Sequence, residues 1–103
     1  MSFDTVIEQY RNSLQTAYRQ AVDADAMLDA MQQEGQAKFS AIFREDAGFT
    51  SQANRFGPYV QELAQALTQF EAAPDAEALP QMVQQLELLL TTLHQLRQQL
   101  KGA

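Results

Sequence analysis

Apolar side chains recur every three or four residues along most of this chain, the spacing that places them on one face of an α-helix. Over about residues 3–34 the recurrence is unbroken. Its positions are Ile7, Tyr10, Leu14, Ala17, Ala21, Ala24, Leu28 and Met31. This is a heptad pattern, so we predict one long helix that packs its apolar stripe against other helices. The alanines in its middle predict a close approach of a neighbouring helix.

The strongest pattern lies in about residues 80–100, where Pro80 is suited to open a helix. The recurring apolar positions are Met82, Leu86, Leu89, Leu93, Leu96 and Leu100, and Val83 and Leu90 widen the stripe. A stripe of this width favours burial against two neighbouring helices of a bundle.

Two further helical segments are predicted between these. Residues 36–46 carry Phe39, Ile42 and Phe43 on one face, and whether they continue the first helix past Gly35 is left open, since one glycine costs only about 1 kcal/mol in a helix. Residues 58–72 follow Gly57 and begin with a proline. Their apolar stripe is Tyr59, Val60, Leu63, Leu67 and Phe70.

The connections are expected to be irregular. Residues 48–57 contain the apolar anchors Phe49 and Phe56, and Asp75 is placed to cap a turn before Pro80. No segment alternates with the period of two that a β-strand requires. We therefore predict an all-α fold, an antiparallel helical bundle of three long helices plus one short helical segment, with the first and last helices as its main pair. At 103 residues the chain suits a single domain over 1–103.

Charge and composition narrow the classes of function. Thirteen acidic residues against seven basic ones give a net charge of −6, which disfavours non-specific binding to nucleic acid. No run approaches the roughly 18 apolar residues of a membrane span, and the first residues lack the features of a secretory leader. A cytoplasmic location without membrane attachment is the expectation.

The residues that catalysis uses are scarce. There is no cysteine and one histidine, so a nucleophilic triad or a metal site lacks its parts, and no glycine-rich loop is present to hold phosphate. Asp23, Asp25 and Asp29 fall on outward heptad positions and are expected to form a solvated acidic face rather than an ion site. We predict no catalytic residue, no cofactor and no metal, and hence that the protein is not an enzyme.

The segment His94-Gln95-Leu96-Arg97 is similar to the start of the phosphotransfer motif in histidine phosphotransfer domains, which are helical bundles of about this size. Those domains place a small residue where this chain has Gln98. The favoured interpretation is an exposed histidine, with phosphotransfer through His94 as a minor alternative.

One group of residues is a candidate partner-binding site. Arg44 and Arg55 flank a connection that contains Phe49 and Phe56, so together they can form a small basic and apolar pocket for an acidic peptide. The alternative is that the arginines pair locally with acidic neighbours such as Glu45 and Asp46.

A further pattern runs through about residues 43–96. It consists of Phe43, Phe49, Phe56, Val60, Leu67 and Phe70, the turn Leu79-Pro80-Gln81, and then Leu86, Leu93 and Leu96. This order resembles the N-terminal domain of the primosomal replication protein C family. The resemblance implies a helical accessory factor of replication restart that contacts single-stranded DNA-binding protein and helicase-loading factors. That family is basic whereas this chain is acidic, so we transfer no binding residue.

Taken together, these patterns predict a non-catalytic protein-interaction module, an adaptor or accessory factor that binds a protein partner. The alternative is a chaperone or assembly subunit that pairs its heptad stripes with a partner helix or with a second copy of itself.

Overall fold

The computed structural model describes residues 3–33, 48–51 and 53–102, the last four by their backbone alone. These residues form α1 (Asp4–Gln33), α2 (Gly57–Ala72) and α3 (Leu79–Gly102), and no strand. The predicted starts at residues 3, 58 and 80 each lie one residue from the observed ones. The predicted segment 36–46 lies outside the described residues. The all-α prediction is confirmed.

The three helices pack their predicted apolar stripes into one core. On α1 and α2 the buried residues are Tyr10, Leu14, Ala17, Ala21, Ala24, Leu28, Tyr59, Val60, Leu63, Leu67 and Phe70. On α3 they include Met82, Leu86, Leu89 and Leu93. The widened stripe of α3 is only partly buried, because Leu90 is half-buried while Val83 remains 41% exposed. The expectation that both side chains are covered by neighbouring helices is therefore wrong for Val83.

Small side chains are buried in the middle of α1. Ala17 and Ala21 are fully buried, and each presents only a methyl group, as the close approach of another helix requires. The contacts of α1 with α2 are more extensive than those with α3. The prediction that the first and last helices form the main pair is therefore wrong.

Contacts at the helix ends show which ends lie together. The ring of Phe3 meets the ring of Phe70 edge to face, with centroids 5.3 Å apart, so the start of α1 lies beside the end of α2. An ion pair between Arg11 and Glu71 lies in the same region. The hydroxyl of Tyr10 donates to the carbonyl of Met82 at 3.2 Å, which places the early turns of α1 and α3 together.

The start of α2 is capped from another helix. Phe56 stands at the cap position, and its own side chain makes no capping hydrogen bond. Instead the carboxylate of Asp25 accepts the backbone N–H groups of Phe56 at 2.7 Å and Gly57 at 2.9 Å. A carboxylate at a helix N-terminus satisfies unpaired N–H groups and complements the helix dipole. The predicted solvated acidic face is therefore wrong for Asp25, which is half-buried.

The connection between α2 and α3 is short and locally determined. The carboxylate of Asp75 accepts the backbone N–H of Glu77 at 3.0 Å, which confirms the predicted cap of this turn. The turn leads directly into α3, in which Pro80 is the second residue. A proline at this point costs little, because the first N–H groups of a helix have no partner within it.

Candidate binding groove

An open groove of about 770 Å³ runs between α2 and α3. These two helices contact each other less extensively than either contacts α1, and the groove lies between their exposed edges. One end is closed by residues 48–51, and the other lies at the connection that carries Asp75. We refer to this feature as the α2–α3 groove.

Glutamine side chains form the sides of the α2–α3 groove. Gln61, Gln65 and Gln69 recur four residues apart on α2, and Gln81 and Gln85 do so on α3. Residues four apart share a helix face, so each set forms one row of amides. An amide offers two N–H donors and a carbonyl acceptor, which are the groups that hydrogen-bond a peptide backbone.

The floor of the groove is apolar. It consists of Phe70 and Met82, which belong to the core, and of Ala66, which is half-buried. Concave sites with an apolar base and a few polar groups around it are the usual form of a binding site. The combination here therefore suits a ligand that has both a polar backbone and apolar side chains.

Residues 48–51 form a wall that is fixed to both helices. Gly48 has a φ of +98°, and its carbonyl accepts the side-chain N–H of Gln85 at 2.6 Å. The carboxylate of Glu62 accepts the backbone N–H groups of Thr50 at 2.8 Å and Ser51 at 2.7 Å. Each bond satisfies a backbone group that no regular element would pair. The wall is thus held by α2 and α3 themselves.

The remainder of this connection is held by Tyr59. Its hydroxyl accepts the N–H of Ala53 at 3.0 Å and donates to the carbonyl of the same residue at 3.1 Å. Its ring meets Phe49 edge to face, with centroids 5.1 Å apart. Because Tyr59 is fully buried, these contacts anchor the connection to the core.

Every ionisable group that lines the groove among the described residues is acidic. Glu62 and Asp75 lie along it, and no lysine, arginine or histidine does so. The surrounding sequence has the same bias: from Phe56 to Leu96 there is no lysine or arginine, while five acidic residues occur. They are Glu62, Glu71, Asp75, Glu77 and Glu87. A cleft lined by charges of one sign concentrates ligands of the opposite sign.

The residues predicted to bind a partner were expected to form a small basic and apolar pocket, but two of them are buried in the core. Phe49 and Phe56 are only 5% and 2% exposed and belong to the core, so a partner would reach their rings only if the connection moved. The guanidinium of Arg55 donates to the carboxylate of Asp29 and to the side-chain oxygen of Gln32, both on α1. Arg44 lies outside the described residues, and so do Glu45 and Asp46.

The other residues and features considered as functional sites are His94, Tyr10, metal-binding clusters and membrane-spanning helices. His94 is exposed, as predicted, and phosphotransfer through it stays a prediction. Burial raises the pKa of Tyr10 to about 12.

In the described part of the chain, no three or more histidine, aspartate or glutamate side chains are grouped to hold a metal ion. No helix among the described residues is long and apolar enough to cross a membrane.

The glutamine rows are functional candidates that sequence reasoning missed. Their four-residue spacing is visible in the sequence, but glutamine is common on any helix surface, and the pattern alone does not indicate that two such rows face each other. Comparison with protein-family models, with curated proteins and with solved structures finds no match to this chain.

Proposed function

We propose that this protein is a non-catalytic interaction module that holds a peptide segment of a partner protein in the α2–α3 groove. The observation that supports this is the pairing of two glutamine rows with an apolar floor in a groove of about 770 Å³. The amides supply hydrogen bonds to a peptide backbone, and the floor accommodates apolar side chains.

A matched pair of tryptophan variants tests the proposal. Gln65 is exposed and lines the groove, whereas its neighbour Ala64 is exposed and does not line it. We expect Gln65→Trp to obstruct the groove and to weaken binding of a partner recovered by affinity capture, by about tenfold or more. Ala64→Trp should bind like the unmodified protein. Equal affinities of the two variants for that partner would contradict the proposed site.

A second candidate function is assembly with another copy of this chain through the outer edge of α1 and α3. Val6, Ser13, Gln20 and Met27 stand seven residues apart on α1, and none of them is charged. Gln20 and Met27 lie beside Leu96 and Arg97 of α3, and Arg97 is two heptads after the exposed Val83. The charged groups of this edge, Asp23 and Arg97, are of opposite sign. Interface cores are depleted in charged residues and enriched in methionine.

Sedimentation at several concentrations tests this second candidate. We expect a dimer at high micromolar concentrations, and Val83→Lys should shift the equilibrium towards monomer because it places a charge in the interface. Val22→Lys is the control, since Val22 is 51% exposed on a different side of α1. A monomer at every concentration would rule out self-assembly.

The resemblance to the primosomal replication protein C family adds a biological role to the proposal, that of an accessory factor of replication restart. No comparison supports this role, and it assumes the predicted cytoplasmic location. Affinity capture from the source cell tests it directly: recovery of single-stranded DNA-binding protein or a helicase-loading factor is expected, and their absence among captured proteins would argue against it.

We also propose the finer architecture, an antiparallel bundle in which α2 runs opposite to α1. The contacts of Phe3 with Phe70 and of Asp25 with Gly57 support it. Because the chain has no cysteine, two can be introduced without interference. Arg11→Cys with Glu71→Cys should be joined by a bifunctional maleimide reagent with a spacer of about 10 Å, because an arginine and a glutamate that meet at their tips lie too far apart for a direct disulfide. Arg11→Cys with Asn54→Cys should not be joined by it. The reverse result would exclude this arrangement.

A further inference from the structure

Two carboxylates mark opposite parts of the α2–α3 groove. Glu62 lies in the second turn of α2, next to the wall of residues 48–51, and Asp75 lies beyond the end of α2. With a rise of 1.5 Å per residue, the ten residues from Glu62 to Ala72 span about 15 Å. The two carboxylates are therefore separated by roughly 15 to 20 Å along the groove.

Glu62 and Asp75 have backbone N–H groups as partners, as Asp25 does, whereas two other acidic residues pair with arginine. Outside the groove, Glu71 pairs with Arg11, and Asp29 pairs with Arg55. In the groove, Glu62 accepts two backbone N–H groups and Asp75 accepts one, all from neutral donors. A carboxylate has about four acceptor positions, so each retains capacity for a further donor as well as its negative charge.

We propose that the peptide bound in the α2–α3 groove is basic, with two lysine or arginine side chains that meet Glu62 and Asp75. This inference rests on the proposed function of the groove. An extended peptide advances about 3.3 Å per residue, so carboxylates 15 to 20 Å apart match basic residues about five positions apart. The sequence from Phe56 to Leu96, which has five acidic residues and no lysine or arginine, attracts such a peptide and repels an acidic one.

Labelled synthetic peptides test the proposal by fluorescence anisotropy and by NMR shifts of the glutamine side chains that line the groove. The probes are peptides of about twelve residues built on one Gly, Ser, Ala and Leu framework, with two lysines about five positions apart, the same lysines adjacent to each other, or two glutamates in their place. We expect the spaced lysine peptide to bind most tightly, the adjacent one about two- to fivefold more weakly, and the glutamate peptide most weakly. Added salt should reduce the difference between them.

Isosteric variants test whether the two carboxylates cause the tighter binding of the spaced lysine peptide. Asp75→Asn keeps the oxygen that accepts the N–H of Glu77 and removes the charge, so the fold is preserved. We expect it to weaken binding of the spaced lysine peptide about two- to fivefold. Glu62→Gln should weaken binding at least as much, because it removes the charge and also one of the two oxygens that hold Thr50 and Ser51, so Asp75→Asn is the variant that isolates the charge. Glu87→Gln is the control, because Glu87 is exposed on α3 and does not line the groove.

The outcomes separate this inference from the proposed function. If lysine and glutamate peptides bind equally and Gln65→Trp blocks both, the groove binds peptides but the inference of a basic ligand is wrong. If no peptide binds and Gln65→Trp retains the affinity of the captured partner, both the inference and the proposed function fail. An effect of Glu87→Gln equal to that of Asp75→Asn would show a general charge effect and would also overturn the specific pairing.

Discussion

The carboxylate of Asp25 accepts the backbone N–H of Gly57 at 2.9 Å, across thirty-two residues of sequence. The same carboxylate accepts the N–H of Phe56, so one side chain of α1 fixes the first turn of α2. Because Phe56 is buried, this contact also sets the position at which the preceding connection enters the core. The start of α2, a helix that lines the groove, is thereby fixed by a residue of α1.

Replacing this capping carboxylate should destabilise the fold measurably. Asp25→Ala removes both acceptor oxygens and leaves two part-buried N–H groups without them, so we expect a loss of about 1 to 2 kcal/mol in the free energy of unfolding. Asp25→Asn keeps one oxygen and should lose less. Asp23→Ala, an exposed position on the same helix, is the control. Urea unfolding monitored by circular dichroism measures all three, and equal midpoints for Asp25→Ala and Asp23→Ala would disprove the capping role.

A larger side chain at the buried alanines of α1 should force its neighbours apart. Ala21 is 2% exposed, and Ala21→Leu has no space for three added carbons without displacing the packing, which we expect to destabilise the protein by about 1 to 3 kcal/mol. Ala26→Leu, at an exposed position on the same helix, should change stability by less than about 0.5 kcal/mol. Thermal unfolding compares them, and a stable Ala21→Leu variant would show that the spacing of α1 is not set by its small residues.

The wall of the groove depends on the backbone conformation of Gly48. Its φ of +98° is rarely adopted by residues that have a side chain, while an added Cβ would meet only Gln85 atoms at 3.9 and 4.0 Å. Gly48→Ala should therefore cost about 1 to 2 kcal/mol through the backbone and not through crowding. Gly57→Ala is the control for the backbone, because Gly57 has no positive φ and an added Cβ would lie 3.4 Å from the Asp25 carboxylate, an ordinary contact distance. Chemical denaturation measures both, and an unchanged midpoint for Gly48→Ala would refute this conformational requirement.

Alkaline pH should weaken the packing of α1 against α3 through Tyr10. Burial raises the pKa of this hydroxyl from 10.0 to about 12, so the folded state binds its proton more tightly than the unfolded state does. The associated stability is fully present below pH 10 and is lost as the pH rises from about 10 to about 12. Stability measured across this range should fall more steeply for the unmodified protein than for Tyr10→Phe. Parallel curves for the two proteins would contradict a buried, protonated Tyr10.

The helices could be predicted from the sequence because the evidence for a helix is local. The spacing of the apolar residues in α2 determined all five of its buried positions, and Pro58 indicated its start. The contacts of Arg55 with Asp29 and Gln32 were not predicted, whereas Glu45 and Asp46, the partners suggested by the sequence, lie outside the described residues. Asp29 lies one turn of α1 beyond Asp25 and pairs with Arg55 across twenty-six residues of sequence, and sequence spacing carries no information on such a contact.

The glutamine rows show the same difference between what local sequence predicts and what depends on tertiary packing. Each row could be recognised from its four-residue spacing, but the groove forms only where α2 and α3 lie side by side with few contacts between them, since each packs mainly against α1. The sequence by itself determined which residues form helices, which faces are apolar, and the acidic bias from Phe56 to Leu96. Only the tertiary structure decided that Asp25 caps α2, that Phe49 and Phe56 are core residues, and that two amide rows face each other. The spacing of apolar residues predicts which face of a helix is buried. The distance between two helices depends instead on packing among residues that are far apart in the chain.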